Sequence, residues 1–357
     1  MAQRIYLDHA ATTPMRPEAV AAVAEGMRRW ANPSSPHAEG RAARAALEDA
    51  RARIKAALGW EGELIFTSGA SEALAIGLGR AKGGGRLVSA IEHDATFRAA
   101  PDAAVIPMRD GLLDEGALAE MLAREGRPVV AVQALNSETG ISPVEVSIAA
   151  RVREAGGTWL CDCAQMTGPV PRDADMVVLS AHKRGGPPGI GALLLRDFRL
   201  IEPGGGQEYG YRGGTENLPG ALGFAAAIEA APEVVDWPGG PALIEAMFAF
   251  ANRMTDRDAV PFQRQGWSPL IIPLAMPGMS AAAQLIRFDA MGFAVSAGSA
   301  CSSGTLKPSR TLKALGVRDE VAARTIRVSF GWNTAIAEIE AFEQAWLELA
   351  ETAKANA

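Results

Sequence analysis

The sequence predicts an α/β protein with a largely parallel central sheet, and three observations lead to this prediction. Short apolar, β-prone runs alternate with stretches of helical composition. Polar residues follow most of these runs. In an open parallel sheet, ligands bind beyond the carboxyl ends of the strands, so polar residues are expected at these positions. The chain has 357 residues, 48% of them hydrophobic and 21% charged, which suits two domains or one large domain with an appendage.

The elements are expected in a regular order. A helix over residues 17–30 has Pro17 and Glu18 in its first turn, where both are favourable. A second helix over residues 39–57 is rich in Ala, Leu, Arg and Glu and is stopped by Gly59. Strands are then expected at residues 64–67, 87–91, 129–135, 158–163, 176–179 and 192–195.

A proline- and glycine-rich stretch, residues 236–241, indicates a domain boundary. After it we expect a helix, strands at residues 270–273, 294–296 and 325–329, and a C-terminal helix from about Ile336. These elements suit a smaller α/β domain.

Composition and charge exclude several classes of protein. The net charge is −6 and no basic block is present, so nucleic acid is not an expected partner. The N-terminus lacks the apolar core of a signal peptide, and no apolar run could span a bilayer, so no membrane association is expected. Three cysteines favour a reducing cytoplasm over a disulfide framework. Cys161 and Cys163 do not have metal-ligand spacing, so no metal is expected.

The most informative segment is Leu179-Ser180-Ala181-His182-Lys183, in which an apolar strand ends in polar residues. A lysine at the end of a buried strand is costly as a cation unless something neutralises it. A desolvated lysine has a lowered pKa and can form a Schiff base with an aldehyde such as pyridoxal phosphate, PLP. An ordinary surface lysine is the alternative interpretation of this segment alone.

Polar residues after neighbouring strands supply the other groups that PLP requires. Residues 68–72 open a helix, whose N–H groups and dipole suit a phosphate. Asp162 suits the pyridine nitrogen, and its charge would let the ring act as an electron sink. Gln165 suits the ring oxygen, and His93 suits stacking or proton transfer. The expected phosphate ligands are Ser71, Ser180 and His182. Each signal alone also fits an ordinary turn, cap or structural histidine.

Motifs over nearly the whole chain resemble the cysteine desulfurases, in the class V aminotransferase branch of fold-type-I PLP enzymes. These motifs are residues 6–14, 32–37, 66–72, 180–191, 204–208, 212–217 and 296–304. The loop Gly298-Ser299-Ala300-Cys301-Ser302-Ser303-Gly304 resembles the NifS/IscS-like group rather than the SufS-like group. The resemblance implies the fold of a fold-type-I PLP-dependent transferase, with a large domain around a mostly parallel sheet and a smaller α/β domain. The large PLP-binding domain would be residues 15–235, and the small domain, with the cysteine loop, residues 1–14 and 236–357.

The resemblance also implies residue roles. Lys183 would bind PLP covalently, Cys301 would attack the substrate sulfur, and His93 would stack on the ring and shuttle protons. Arg327 would bind the substrate carboxylate, helped by Asn32. The remaining cofactor-binding residues would be Ala70, Ser71, Ser137, Asp162, Gln165, Ser180, His182 and, from the partner subunit of a homodimer, Thr215.

The implied reaction converts L-cysteine to L-alanine and leaves the sulfur as a persulfide on Cys301. A cytoplasmic homodimer would pass this sulfur to an acceptor protein for iron–sulfur clusters or tRNA thiolation. A selenocysteine lyase or small-amino-acid aminotransferase of the same family is the nearest alternative. A catalytically silent scaffold protein is a rival from another class. Cys301 argues against an aminotransferase, and the intact Lys183, Asp162 and His93 argue against a scaffold.

The chain departs from the family pattern in three places. Many members have Asn-Asn-Glu where this chain has Asn136-Ser137-Glu138, so that either Ser137 faces the cofactor or Asn136 compensates. Pro188 replaces a common lysine. Little chain follows the C-terminal helix, whereas longer members use additional tail to dock a scaffold protein, which leaves the acceptor open.

Overall fold

The computed structural model describes residues 4–143, 147–230, 233–254, 267–298 and 309–355. Its helices are α1 (Pro17–Arg28), α2 (Ala38–Leu58), α3 (Ala70–Gly79), α4 (Asp94–Ala99), α5 (Glu115–Arg124), α6 (Ile148–Glu154), α7 (Leu218–Glu229), α8 (Gly240–Met254), α9 (Ala281–Ala290), α10 (Arg310–Ala314), α11 (Asp319–Ala322) and α12 (Ile336–Ala355).

The strands are short, and most coincide with the apolar runs of the sequence. They are β1 (Ile5–Tyr6), β2 (Glu63–Thr67), β3 (Arg86–Ser89), β4 (Ala104–Ile106), β5 (Met108–Arg109), β6 (Leu112–Leu113), β7 (Val129–Ala131), β8 (Thr158–Asp162), β9 (Met176–Ser180), β10 (Gly191–Leu195), β11 (Ile271–Ala275), β12 (Phe293–Ala294), β13 (Ser296–Ala297) and β14 (Thr325–Ser329).

Seven strands form the central sheet, in the order β2-β10-β9-β8-β7-β3-β4. Strand β10 is antiparallel to both of its neighbours, whereas the other adjacent pairs are parallel. Because side chains alternate along a strand, Val177 and Leu179 pack with α2 and α7, while Met176 and Val178 pack with α3 on the opposite face. Both faces are therefore covered by helices, and the predicted α/β class is confirmed.

A second core lies beside this sheet and contains both ends of the chain. Strand β1 pairs in parallel with β12, and Asp8 forms a β-bridge with Ser329. The antiparallel sheet β11-β14-β13 packs with helices α8 and α12. The N-terminal segment is thus joined to the C-terminal part of the chain, although the expected domain limits at residues 14–15 and 235–236 stay a prediction.

Three sequence expectations differ from the structure in detail. The strand expected over 129–135 ends at Ala131, because β3 stops at Ser89 and the N–H of Gln133 donates instead to the carboxylate of Glu92. The single strand expected over 294–296 is two strands that pair in different sheets. The stretch expected as a boundary packs into the second core through Trp237, which is buried.

Candidate active site

A cleft of about 740 Å³ lies where the carboxyl ends of β2, β3, β7, β8 and β9 meet the second core. This volume lies within the range of small-molecule and cofactor sites. Most of the predicted site residues line it: Ala70, Ser71, His93, Ser137, Asp162, Gln165, Ser180, His182, Lys183 and Arg327. The parallel sheet thus brings together side chains that are far apart in the sequence.

Lys183 ends the 3₁₀ turn Ala181–Lys183, which directly follows β9. Burial lowers the pKa of its amine, the negative charge of Asp162 raises it, and the positive charge of Arg327 lowers it, so that the net pKa is about 8. Among the described residues Lys183 makes no hydrogen bond or ion pair. A buried amine that is partly neutral near physiological pH is suited to act as a nucleophile or a base.

Asp162 is the last residue of β8 and is buried. One carboxylate oxygen accepts a hydrogen bond of 2.9 Å from the N–H of Ala164, which fixes the side chain. Burial raises the pKa of Asp162, while that N–H, the positive charge of Lys183 and, when it is protonated, His93 lower it. A buried carboxylate of this kind is suited to hold a protonated nitrogen.

His93 is the N-cap of α4, and its Nδ1 accepts a hydrogen bond of 3.1 Å from the N–H of Ala95. Burial and the charge of Lys183 lower the pKa of His93, so the imidazole is mainly neutral at pH 7. Because Nδ1 is an acceptor, the proton of the neutral ring is assigned to Nε2.

The turn between β2 and α3 is suited to bind an anion. Gly69, the N-cap of α3, has a φ of 154°, which favours glycine, and a Cβ there would have no neighbour within 4 Å. This open space lies at the N-terminus of a ten-residue helix, where N–H groups and the helix dipole attract negative charge. The hydroxyls of Ser71 and Ser180 and the ring of His182 line the same cleft. These groups fit a phosphate.

Both terminal nitrogens of the Arg327 guanidinium donate hydrogen bonds within the protein. Its Nη2 donates to Asp8 Oδ1 at 2.7 Å, and its Nη1 donates to the carbonyl of Ser137 at 3.0 Å. Asp8 lies in the N-terminal segment, and sequence reasoning did not include it in the site. Its position directly after the apolar Leu7, within the first of the family motifs, was the available signal.

Asn136 and Ser137 have different hydrogen-bond partners in the turn after β7. The Asn136 Oδ1 accepts from the N–H groups of Glu138 and Thr139 and from the Thr139 hydroxyl, and its Nδ2 donates to the carbonyl of Ile91. The amide of Asn136 therefore supports the turn. Both residues line the cleft, but Ser137 is the one whose side chain has no such structural bonds among the described residues.

Other lining residues were not predicted from sequence. Glu92 is buried, and one of its oxygens accepts a hydrogen bond of 2.8 Å from the N–H of Gln133. Burial raises the pKa of Glu92 well above its ordinary value, which favours the neutral acid. Its position directly before His93 was the only sequence signal. One amide hydrogen of Gln165, which was predicted, donates to the carbonyl of Ala10 at 2.9 Å.

Two predicted site residues that the structure describes, Asn32 and Thr215, are not among those that line the cleft. Asn32 is exposed, and its Oδ1 accepts from the N–H of Ser34 at 2.8 Å. Thr215 is exposed in the segment before α7. Cys301 lies outside the described residues.

The described residues contain no group of three or more His, Cys, Asp or Glu side chains placed to hold a metal ion. Among the described helices, none combines the length and apolar character needed to cross a membrane.

Known proteins resemble this chain in sequence and in structure. The family model described as Aminotransferase class-V matches residues 5–342. A Dictyoglomus turgidum protein named cysteine desulfurase IscS is 33% identical over 363 residues, which cover 94% of this chain and 91% of that protein. A NifS-like protein from Rickettsia africae has a similar structure, with a TM-score of 0.86, 28% identity, and coverage of 98% of this chain and 100% of that chain. A structure described as SspA in complex with cysteine has a TM-score of 0.75, 27% identity, and coverage of 93% and 100%.

Proposed function

The chain belongs to the aminotransferase class-V family, and we propose that it is a PLP-dependent cysteine desulfurase. It would convert L-cysteine to L-alanine and leave the sulfur as a persulfide on Cys301. The observation that carries the proposal is the cleft that holds the desolvated amine of Lys183 together with Asp162 and His93. The relatives of the chain include a named cysteine desulfurase.

The residues of the cleft fit PLP. Bound PLP would supply an electron-withdrawing ring that stabilises negative charge at the substrate's α-carbon. Lys183 Nζ would hold the cofactor and then accept the α-proton. The Asp162 carboxylate would hold a proton on the ring nitrogen, and Gln165 would donate to the ring oxygen. The N-terminus of α3, with Ala70 and Ser71, would hold the phosphate together with Ser180 and His182, and Ser137 would face the cofactor.

A positive charge would hold the substrate, and a thiolate would accept its sulfur. Arg327, helped by Asn32, would bind the α-carboxylate of cysteine. The thiolate of Cys301 would attack the substrate sulfur, so that a sulfur–sulfur bond forms while the carbon–sulfur bond breaks. The Cys301 thiol and cysteine then become a persulfide and alanine, which balances atoms and electrons. His93 Nε2 would transfer the protons that this exchange requires.

We propose that the protein acts as a homodimer. Thr215 is exposed and apart from its own cleft, which fits a role in the partner subunit's phosphate site. Helix α1 and the residues after it expose Val20, Met27 and Trp30, and Trp30 is 80% exposed. Val20 and Met27 are seven residues apart and share one face of α1, and Trp30 follows shortly after the helix, so that exposed apolar side chains cluster in this part of the chain, as expected of an interface.

The cellular setting is proposed on the same basis. A cytoplasmic location would keep Cys301 reduced, as the chemistry requires. The sulfur would pass to an acceptor protein of the scaffold or tRNA-thiolation type. The domain division, with residues 15–235 as the PLP-binding domain, is likewise proposed.

Replacement of the sulfur acceptor tests the function. The PLP-loaded wild type should release alanine from cysteine and gain one sulfur atom on the Cys301 peptide, as measured by mass spectrometry. Cys301→Ser should still change the cofactor's absorption when cysteine is added, but alanine release should fall on the order of 10³-fold or more, because a hydroxyl cannot accept the sulfur. Turnover like that of the wild type in this variant would favour a selenocysteine lyase or an aminotransferase instead.

A further inference from the structure

The carboxylate of Glu138 lies at the rim of the cleft, where the turn after β7 meets the second core. The backbone of this turn is fixed, because Asn136 Oδ1 accepts from the N–H of Glu138 at 2.9 Å and from that of Thr139 at 3.0 Å. Glu138 Oε2 accepts a hydrogen bond of 2.5 Å from the Ser309 hydroxyl. The side chain thus bridges a turn of the large sheet and residues 171 positions later in the chain.

The same carboxylate oxygen lies against the backbone of Gly298. A Cβ built on Gly298 would be 2.6 Å from Glu138 Oε2, which is closer than real Cβ atoms approach another atom. Any side chain at position 298 would therefore displace Glu138. One oxygen atom therefore accepts a hydrogen bond from Ser309 and lies close to Gly298, and these two residues flank positions 299–308, which include Cys301.

Further contacts are made by Arg310, which directly follows Ser309. Arg310 Nη1 lies 3.3 Å from Asp94 Oδ1, and its guanidinium lies 4.0 Å above the ring of Phe97. Asp94 directly follows His93, so this contact is on the same rim of the cleft. Glu138 itself is largely desolvated: burial raises its pKa, and hydrogen bonds from Ser309 and Thr311 lower it.

We propose that Glu138 is a positioning residue for sulfur transfer, because its carboxylate holds Ser309 by a hydrogen bond and lies close to Gly298, the two residues between which Cys301 lies in the sequence. The importance of the segment that contains Cys301 rests on the proposed function. Cys301 lies three positions after Gly298 in the sequence, a span of about 10 Å at most. An anchor at Gly298 therefore restricts the space that the thiolate can reach, and a misplacement of about 1 Å can slow a reaction on the order of 10²-fold.

Two substitutions separate positioning from other roles of Glu138. Glu138→Ala removes the acceptor for Ser309, whereas Glu138→Gln keeps an acceptor oxygen but removes the charge and the acidic proton. Ser309→Ala removes the same hydrogen bond from the other side, and it serves if Glu138→Ala does not fold. Glu340→Ala, an exposed glutamate on α12, is the matched control.

The first measurement needs no turnover. In the PLP-loaded protein, Glu138→Ala and Ser309→Ala should increase hydrogen exchange of peptide 299–308 and alkylation of Cys301 on the order of 10-fold, because the anchoring hydrogen bond is lost. Glu138→Gln and Glu340→Ala should match the wild type. Unchanged exchange and alkylation in Glu138→Ala and Ser309→Ala would overturn the inference.

The second measurement separates cysteine binding from sulfur transfer. Glu138→Ala should slow single-turnover persulfide formation on Cys301 about 10- to 100-fold, while the cysteine-induced absorption change keeps its concentration dependence. A Glu138→Gln variant as slow as Glu138→Ala would mean that the charge or proton is needed, which also overturns the inference. A wild type that forms no persulfide would refute the proposed function, and the exchange and alkylation results would still decide whether Glu138 fixes the segment.

Discussion

At the scale of single residues, the cleft balances burial against charge. Burial favours the neutral forms of both Lys183 and Asp162, whereas their mutual attraction favours the charged forms. The result is an amine with a pKa of about 8 beside a carboxyl whose pKa is raised. Groups with opposed shifts in one cleft are typical of functional sites.

The amine of Lys183 should react at a lower pH than that of an ordinary lysine. In the cofactor-free protein, the rate of covalent PLP attachment should rise with pH around pH 8, because burial makes the neutral amine appear there. Asp162→Asn removes the charge that raises this pKa, so the midpoint should move to lower pH. Absorption measurements across pH, with borohydride reduction and peptide mapping, would test this. A midpoint that moves upward, or a pyridoxyl group on another lysine, would contradict the assignment.

Cys161 and Cys163 should be chemically inert in the folded protein. Both side chains are fully buried in the core between the sheet and α2 and α7, on the face opposite to Asp162. Burial raises the pKa of the Cys161 thiol well above its ordinary value, which suppresses the reactive thiolate. Iodoacetamide should label Cys301 alone in the native protein and all three cysteines after unfolding. Native labelling of Cys161 or Cys163 as fast as Cys301 would show that they are accessible.

At the scale of elements, helix α2 supports the loop that carries Thr215. The helix begins with His37 as its N-cap and ends at Gly59, whose φ of 61° is in the left-handed region. From its buried face, Arg51 donates to both oxygens of Glu208 at 2.7 and 3.1 Å. Glu208 also accepts from the N–H of Phe66 in β2. The ion pair joins a helix, a strand and the loop before α7.

Removal of one partner of this buried pair should destabilise the fold. Glu208→Ala leaves the buried guanidinium of Arg51 with only the partly exposed Glu48 carboxylate and leaves the N–H of Phe66 without its acceptor, and we expect the unfolding free energy to fall by about 3–5 kcal/mol. Glu229→Ala is the control, because it breaks the more exposed Arg53–Glu229 pair and should cost about 1 kcal/mol or less. Urea denaturation of both variants measures the difference, and equal losses would contradict the argument.

At the scale of the whole molecule, the N-terminal segment joins the two cores behind Lys183. The N–H of Thr13 donates to the carbonyl of His182, and that of Arg16 donates to the carbonyl of Gly185, both at 2.8 Å. Strand β1, earlier in the same segment, pairs with β12 of the second core. The N-terminal segment thus binds both the turn that carries Lys183 and the second core, which stabilises the shape of the cleft between the two cores.

The homodimer should depend on the exposed apolar face that begins in α1. Trp30→Asp combined with Met27→Asp should weaken dimerisation, because two charges would be buried without partners. Sedimentation velocity at low concentration measures this, and Leu347→Asp, at an exposed apolar position on α12, is the control. A wild type that is monomeric and still releases alanine would refute the proposed dimer, and an unaffected dimer in the double variant would place the interface elsewhere.

The sequence by itself determined the α/β class, most strand positions and the polar residues that end the strands. It could do so because side-chain alternation, caps and glycine turns are local properties of the chain. It also determined that Lys183, Asp162 and His93 belong together, since parallel strands end at one edge of a sheet.

Only the tertiary structure decided which groups are free and which are engaged. The Asp8–Arg327 pair joins residues 319 positions apart, and the contacts of Glu138 with Gly298 and Ser309 join a strand-end turn to the second core. Asn136 and Ser137 could both contact a cofactor, but the side-chain amide of Asn136 is hydrogen-bonded within its own turn. Such choices depend on distances and burial between segments distant in the chain, and no local pattern records them because they arise only when the two cores pack.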